Sequence, residues 1–358
     1  MRRKFFSLGL IFTLLSLLSI TGCLADSDSW DEIGLDVESI YAASGTQTNP
    51  RIENDILVFE NQSDKRIYYY NYMNDGVVGP FASAGGTEQQ LPDVYWRTIC
   101  FAEKRSTGDR WIVVHDIDDS SQDYMNPMSG VHQYSPRIFD KYVVWHDDRS
   151  GSAVDPNVYL FDIETDTEYE IDTSSRRQQW ADIDDCRVVY ETQLAHPGLS
   201  DIAMYDFNGT TPENGTRYSV CSGSWLSERP SVHGKRVVWQ DNRNGNYDIY
   251  MWDLDRDSGD REVAICTHSG NQMYPQIYGD FVVWQDTRSD DAGPGIYLQD
   301  LTTLGVDPEI CVATVASAEY PAVYEDRVAF TNGDIYHALT PCSTHLLVPD
   351  DGGDVEVE

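Results

Sequence analysis

Arg229-Pro230-Ser231-Val232, Lys235-Arg236-Val237-Val238-Trp239-Gln240-Asp241-Asn242-Arg243-Asn244-Gly245 and Asp248-Ile249-Tyr250-Met251-Trp252-Asp253-Leu254 read as three short strands with their turns. The next segment repeats them as Tyr274-Pro275-Gln276-Ile277, Asp280-Phe281-Val282-Val283-Trp284-Gln285-Asp286-Thr287-Arg288 and Gly295-Ile296-Tyr297-Leu298-Gln299-Asp300-Leu301. With proline as the marker, units begin at Pro50, Pro92, Pro136, Ala181 in place of proline, Pro230, Pro275 and Pro321. Repeats of about 45 residues are the signature of a propeller or a solenoid. The triplets Val143-Val144-Trp145, Val188-Val189-Tyr190, Val237-Val238-Trp239 and Val282-Val283-Trp284 are consecutive apolar β-formers, so both faces of that strand must be covered. Stacked blades supply that cover. No segment shows sustained helical periodicity with caps. The expectation is an all-β, seven-bladed propeller of four-stranded antiparallel blades.

The ends specify how the ring closes. After Asp334-Ile335-Tyr336 the last unit lacks an outer strand, whereas residues 37–45 match residues 262–270, the outer strand of the blade that starts at Pro230. An N-terminal strand is therefore expected to close the last blade, with Thr344 to Val348 as the competing strand. The propeller is expected over residues 38–342, followed by an acidic tail at 343–358.

Arg2, Arg3 and Lys4 precede an apolar run from Phe5 to Ile20, too short to span a bilayer comfortably, and then Ile20-Thr21-Gly22-Cys23. This reads as a signal peptide over residues 1–22. The junction resembles the lipoprotein box of bacteria and archaea, which implies lipidation of Cys23. Residues 23–37 would then be an acidic tether. The expected location is extracytoplasmic, on the outer face of the cytoplasmic membrane, with the lipid as the only membrane attachment.

The chain carries 60 Asp and Glu against 25 Lys and Arg, a net charge of −35. Such a surface repels nucleic-acid phosphates and anionic headgroups, so nucleic-acid binding is not expected. Cys221, Cys266 and Cys311 occupy one repeat position, and equivalent positions in adjacent blades lie too far apart for a bridge. They read as small buried apolar residues.

The motifs Pro-x-Ile/Val, Val-Val-Trp-x-Asp-x-Arg-x-Gly and Asp-Ile-Tyr-x-x-Asp-Leu resemble the TolB-type, WD-like β-propeller repeats, most closely those of surface lipoproteins from methanogenic archaea. The resemblance covers about residues 39–342. It implies the fold and a surface location; the N-terminal α/β domain of TolB is missing, so the Tol role is not implied. Function must be read from the site.

No Gly-x-Ser-x-Gly elbow and no His-Glu-x-x-His motif occur, and the histidines are scattered over the units. The sequence reading is accordingly not an enzyme, with no catalytic residue, metal ligand or cofactor assigned; a propeller-type polysaccharide lyase or a passive envelope protein is the alternative. His146 stands where other units have Gln240 and Gln285, which reads as a satisfied second-strand histidine. Asp253-Leu254-Asp255-Arg256-Asp257-Ser258-Gly259 departs from a calcium loop, and structural calcium stays only an alternative. Asp147, Asp241 and Asp286 recur beside Arg149, Arg243 and Arg288, which suggests an Arg–carboxylate brace in each hairpin.

The connections between blades carry His132, Tyr134, Arg176, Arg177, Trp180, Trp225, Tyr274 and Tyr320. Aromatics interleaved with polar side chains suit glycan or peptide recognition, and Arg176-Arg177 suits a carboxylate. The bland alternative is that each aromatic wedges between blades. Asn61, Asn208 and Asn214 lie in glycosylation sequons. The expectation is a monomeric, lipid-anchored surface propeller that binds an envelope or extracellular protein or a glycan.

Overall fold

The computed structural model describes residues 37–340, apart from 43, 75, 82–85, 150–155, 173, 175, 194–198, 290–292 and 315–316. The signal peptide, Cys23, the tether up to residue 36, the tail and the alternative strand at Thr344 lie outside the described residues. Strands run from Val37 to Leu339 and form seven four-stranded antiparallel sheets. The first sheet is Gln47–Glu53, Ile56–Asn61, Arg66–Asn71 and Gly76–Val78, and the next five follow the same consecutive order. The seventh orders Glu319–Tyr324, Arg327–Asn332 and Asp334–Leu339 against Val37–Tyr41. That last strand pairs antiparallel with Asp334–Leu339 in the register Val37↔Ala338. The seven-bladed propeller and its N-terminal closure are thus as expected.

The apolar triplets sit where their composition requires. Val237, Val238 and Trp239 are fully buried, and so are Val282, Val283 and Trp284. Val238, Ile249 and Met251 of one blade pack with Ile277, Val282, Trp284 and Tyr297 of the next, so each sheet has a neighbour on either face.

The braces repeat with little change. Arg149 meets Asp147 at 2.6 Å and also Glu168; Arg243 meets Asp241 at 2.8 Å and also Glu262; Arg288 meets both Asp286 and Glu309 at 2.6 Å. The guanidinium carbons lie 3.7, 4.0 and 3.8 Å from the ring centroids of Tyr159, Tyr250 and Tyr297. The indoles of Trp145, Trp239 and Trp284 donate to the same aspartates. The thiols of Cys221 and Cys266 pack under Arg243 and Arg288. Burial pushes both thiols up, Cys266 to about 12. All five described cysteines are free.

The first strand of every blade contains a bulge, and the residue before the marker position takes left-handed φ: Asn49, Leu91, Ser135, Trp180, Arg229, Tyr274 and Tyr320, all between 50° and 55°. None is glycine, so each holds a conformation that costs about 1–2 kcal/mol. Six of the seven, all but Ser135, line one cavity at the channel.

Candidate functional site

Strand direction divides the channel into layers. The left-handed residues form the first; two positions on come Arg51, Asp93, Arg137, Asp182, Ser231, Gln276 and Ala322; two further on come Glu53, Tyr95, Phe139, Asp184, His233, Tyr278 and Tyr324. The middle layer constricts the channel. Arg51 and Arg137 face Asp93 and Asp182, each at 3.8 Å. Asp93 and Asp182 also accept the backbone N–H groups of Ile138 and Val232 at 2.9 Å, which ties adjacent blades together. Burial, reinforced by the charge of Arg137, lowers the Arg51 guanidinium to about 10.

On the first-layer side lies a cavity of about 70 Å³, walled by Trp180, Arg229, Tyr274 and Tyr320 from four successive blades. The Arg229 guanidinium lies 3.6 Å from the Trp180 ring centroid and 5.4 Å from that of Tyr274, and Tyr274 and Tyr320 are 5.0 Å apart. These contacts make a continuous arc. The other three blades supply the smaller Asn49, Leu91 and Ser135, so the wall is one-sided.

The second strands hold this layer from behind. Glu60, Glu191 and Gln240 accept the backbone N–H groups of Leu91, Arg229 and Tyr274, the left-handed residues of the following blades. His146 and Gln285 hold the equivalent position, yet His146 Nδ1 and Gln285 Oε1 are buried without a hydrogen-bond partner among the described residues. The expectation of a satisfied histidine is corrected here, since one ring nitrogen of His146 is buried without a partner among these residues. His146 is 7% exposed, packed between Tyr134 and Trp180. Burial, with the charges of Arg177, Arg137 and Arg229, lowers it to about 3. Burial raises Glu191 to about 7 despite the Arg229 N–H.

Three of the eight expected face residues, Trp180, Tyr274 and Tyr320, belong to the arc, and Arg177 stands behind it with its Nε buried and unpartnered. His132 and Tyr134 lie at the edge of their blade, where Tyr134 stacks on His146 and takes Arg110 over its ring. Trp225 packs 4.8 Å from the Arg243 guanidinium, against a brace; this is the wedge reading. Arg176 is exposed, its charge felt by Asp201. Arg229 was missed, although it precedes a marker proline as Tyr274 and Tyr320 do. Among the sequons, Asn208 and Asn214 are exposed, whereas Asn61 is 4% exposed and its carboxamide oxygen is taken by Ser63. Among the described residues, no three His, Cys, Asp or Glu side chains are grouped to hold a metal.

No protein-family model matches the chain, and no curated protein sequence matches it. Solved structures do. An oligogalacturonate lyase in complex with manganese superposes with a TM-score of 0.61 at 13% identity, covering 88% of this chain and 96% of that one. The β-propeller domain of the Trilobed protease from Pyrococcus furiosus gives 0.58 at 12%, over 80% and 90%. A puromycin hydrolase gives 0.60 at 8%, over 81% of this chain and 50% of its own. Against the hydrolase the chain therefore spans half the length. At these identities the likeness establishes the fold. It supports the propeller part of the TolB-type resemblance and leaves the finer family assignment without a matching model. It also corrects the expectation that the chain is not an enzyme: these neighbours are enzymes or the propeller of one.

Proposed function

We propose that the chain is a carbohydrate-active propeller that takes hold of a carboxylated oligosaccharide at the first-layer mouth of its channel. The arc of Trp180, Arg229, Tyr274 and Tyr320 carries this reading. Flat rings offer stacking faces to sugars, and a guanidinium between them pairs with a carboxylate in fork geometry. The net charge of −35 opposes an anionic ligand at long range. Locally, Arg51 and Arg137 are matched by Asp93 and Asp182, which leaves Arg229, among the described residues, as the cation the mouth presents, and salt screens the distant acids.

The reaction class that suits this mouth is β-elimination from a uronate. Pairing the carboxylate with a guanidinium makes the neighbouring carbon-bound proton easier to remove. Glu191 positions Arg229 from behind: it is buried, with one carboxylate oxygen on the Arg229 N–H and the other on the Gln179 amide. The manganese-bound oligogalacturonate lyase, matched over almost its whole length, lends support to this choice. In the same proposal the chain works outside the cytoplasm, held by a lipid on Cys23, as the TolB-type surface lipoproteins it resembles would be.

Incubation with polygalacturonate, followed by the ultraviolet absorbance of unsaturated product, tests the reaction. The account expects a rise with the uronate polymer, none with a neutral glucan, and loss in a Trp180→Ala/Arg177→Ala double variant that melts near the parent temperature. No product from any uronate polymer, with and without added manganese, would remove the lyase reading.

A further inference from the structure

The opposite end of the channel is chemically the reverse. Beyond the Arg51–Asp93 and Arg137–Asp182 constriction lies a cavity of about 420 Å³, within the usual range for small-molecule sites. Its inner ring is Glu53, Tyr95, Phe139, Asp184, His233, Tyr278 and Tyr324, one residue from each blade in order.

That order builds two walls. Tyr95 and Phe139 pack at 4.7 Å between ring centroids, while His233, Tyr278 and Tyr324 form a run at 4.5 and 4.4 Å. Glu53 and Asp184, three blades apart, fill the gaps between these walls from opposite sides. Asp184 spends one oxygen on the Gly234 N–H at 2.6 Å. The Glu53 carboxylate has neither a hydrogen bond nor an ion pair among the described residues. Arg51 at the constriction is already turned to Asp93, and His233 Nδ1 accepts the Gly279 N–H. Trp96 lines the same cavity and is 59% exposed.

A half-buried carboxylate without a cation, opposed by a second carboxylate and flanked by aromatic faces, is the arrangement that attracts an organic ammonium ion. We propose that this cavity is a binding site for a small organic cation of the alkylammonium class. The carboxylates neutralise its charge while Tyr95, Phe139, Tyr278 and Tyr324 cover its methylenes. The placement of the carboxylates on opposite sides favours a linear diamine, one ammonium to each.

The electrostatics agree. Burial, with Asp93, Asp184 and Glu325 adding to it, raises Glu53 to about 8, so a bound cation would draw a proton from it near neutral pH. The phenols of Tyr95, Tyr278 and Tyr324 all feel the Glu53 charge, which places it among the rings.

Calorimetric titration of the purified chain with 1,5-diaminopentane is the test, with 1,5-pentanediol as the neutral control. The expected result is saturable binding of the diamine alone, with proton release at pH 7 seen by comparing two buffers of different ionisation enthalpy. Glu53→Gln and Asp184→Asn should each weaken it about ten-fold, and Phe139→Leu should weaken it with both carboxylates in place. No saturable heat, equal displacement by magnesium, or unchanged affinity in Glu53→Gln and Asp184→Asn would overturn the proposal. Because this cavity lies beyond the constriction, Arg229 variants should leave diamine binding intact.

Discussion

Arg229 lies over Trp180, its guanidinium carbon 3.6 Å from the indole centroid, and both residues sit at left-handed φ on adjacent blades. Neither position needs a large side chain to make its bulge, since glycine would hold it with less strain. The chain instead keeps a cation and an aromatic there, facing the channel. The left-handed bulge recurs in every blade, so the strain belongs to the repeat, and what sets this pair apart is the cation stacked on the indole.

This predicts a separation between stability and function. Arg229→Gly relieves about 1–2 kcal/mol of left-handed strain and loses a stacked cation worth about 0.5–2 kcal/mol, so its melting temperature should stay within about 2 °C of the parent. Arg229→Ala keeps the strain, loses the contact and should melt lower. Both should lose uronate binding. Thermal melts of the two variants check the order.

His146 should give the fold an acid sensitivity. Its folded value is about 3, whereas an unfolded imidazole titrates near 6.5, so between these values the unfolded chain binds a proton that the folded chain refuses. Stability contributed by this site is therefore level above about pH 6.5 and declines as pH falls towards 3. His146→Gln removes the titration and offers Trp180 the acceptor that Gln240 offers Tyr274. Denaturant melts should show the variant ahead of the parent by about 1 kcal/mol or more at pH 5, with the gap narrowing at pH 7.5. Equal pH slopes would contradict this.

The braces should act as stability elements. Asp241 is fully buried and accepts from Trp239, Ser227 and Arg243 together. Asp241→Asn leaves the guanidinium with Glu262 alone and should cost about 3 kcal/mol, measured by urea unfolding. Nearby groups favour the carboxylate form and hold Asp241 below its usual range although burial opposes them. The wild-type contribution should accordingly be present above about pH 4 and fade as pH falls through the lowered folded value, a slope absent from the variant.

Ring closure makes a further prediction. Removing residues 37–41 bares the Asp334–Leu339 edge and breaks the register Val37↔Ala338. The melting temperature should fall by more than about 5 °C, and an unchanged melt would mean that the ring holds without this strand.

The fold was legible because its signals repeat. Val-Val-Trp triplets, marker prolines and Asp–Arg hairpins recur in register, and the match between residues 37–45 and 262–270 marks the closing strand in the sequence itself. The site was legible only in part, because it is built across blades from positions that differ in each. Trp180, Tyr274 and Tyr320 stood out by size. Arg229 did not, since a cation among aromatics carries meaning only once the bulge aligns it with them. Trp225 is also large and precedes a first strand, but it lies four residues before the bulge position and packs on Arg243. Glu53 and Asp184 gave no local signal at all. Each is an ordinary acid in an acidic chain until the ring sets them on opposite sides of one cavity.

The Trp180–Arg229–Tyr274–Tyr320 mouth is proposed to bind a carboxylated glycan. Calorimetric titration of the full chain with a galacturonate oligosaccharide, beside its carboxyl-reduced counterpart and beside Arg229→Gly, tests it most directly. The account predicts saturable binding of the uronate, at least about ten-fold weaker binding of the reduced sugar, and a loss of similar size in Arg229→Gly at an unchanged melting temperature. Equal affinity for both sugars, or for both proteins, would contradict it.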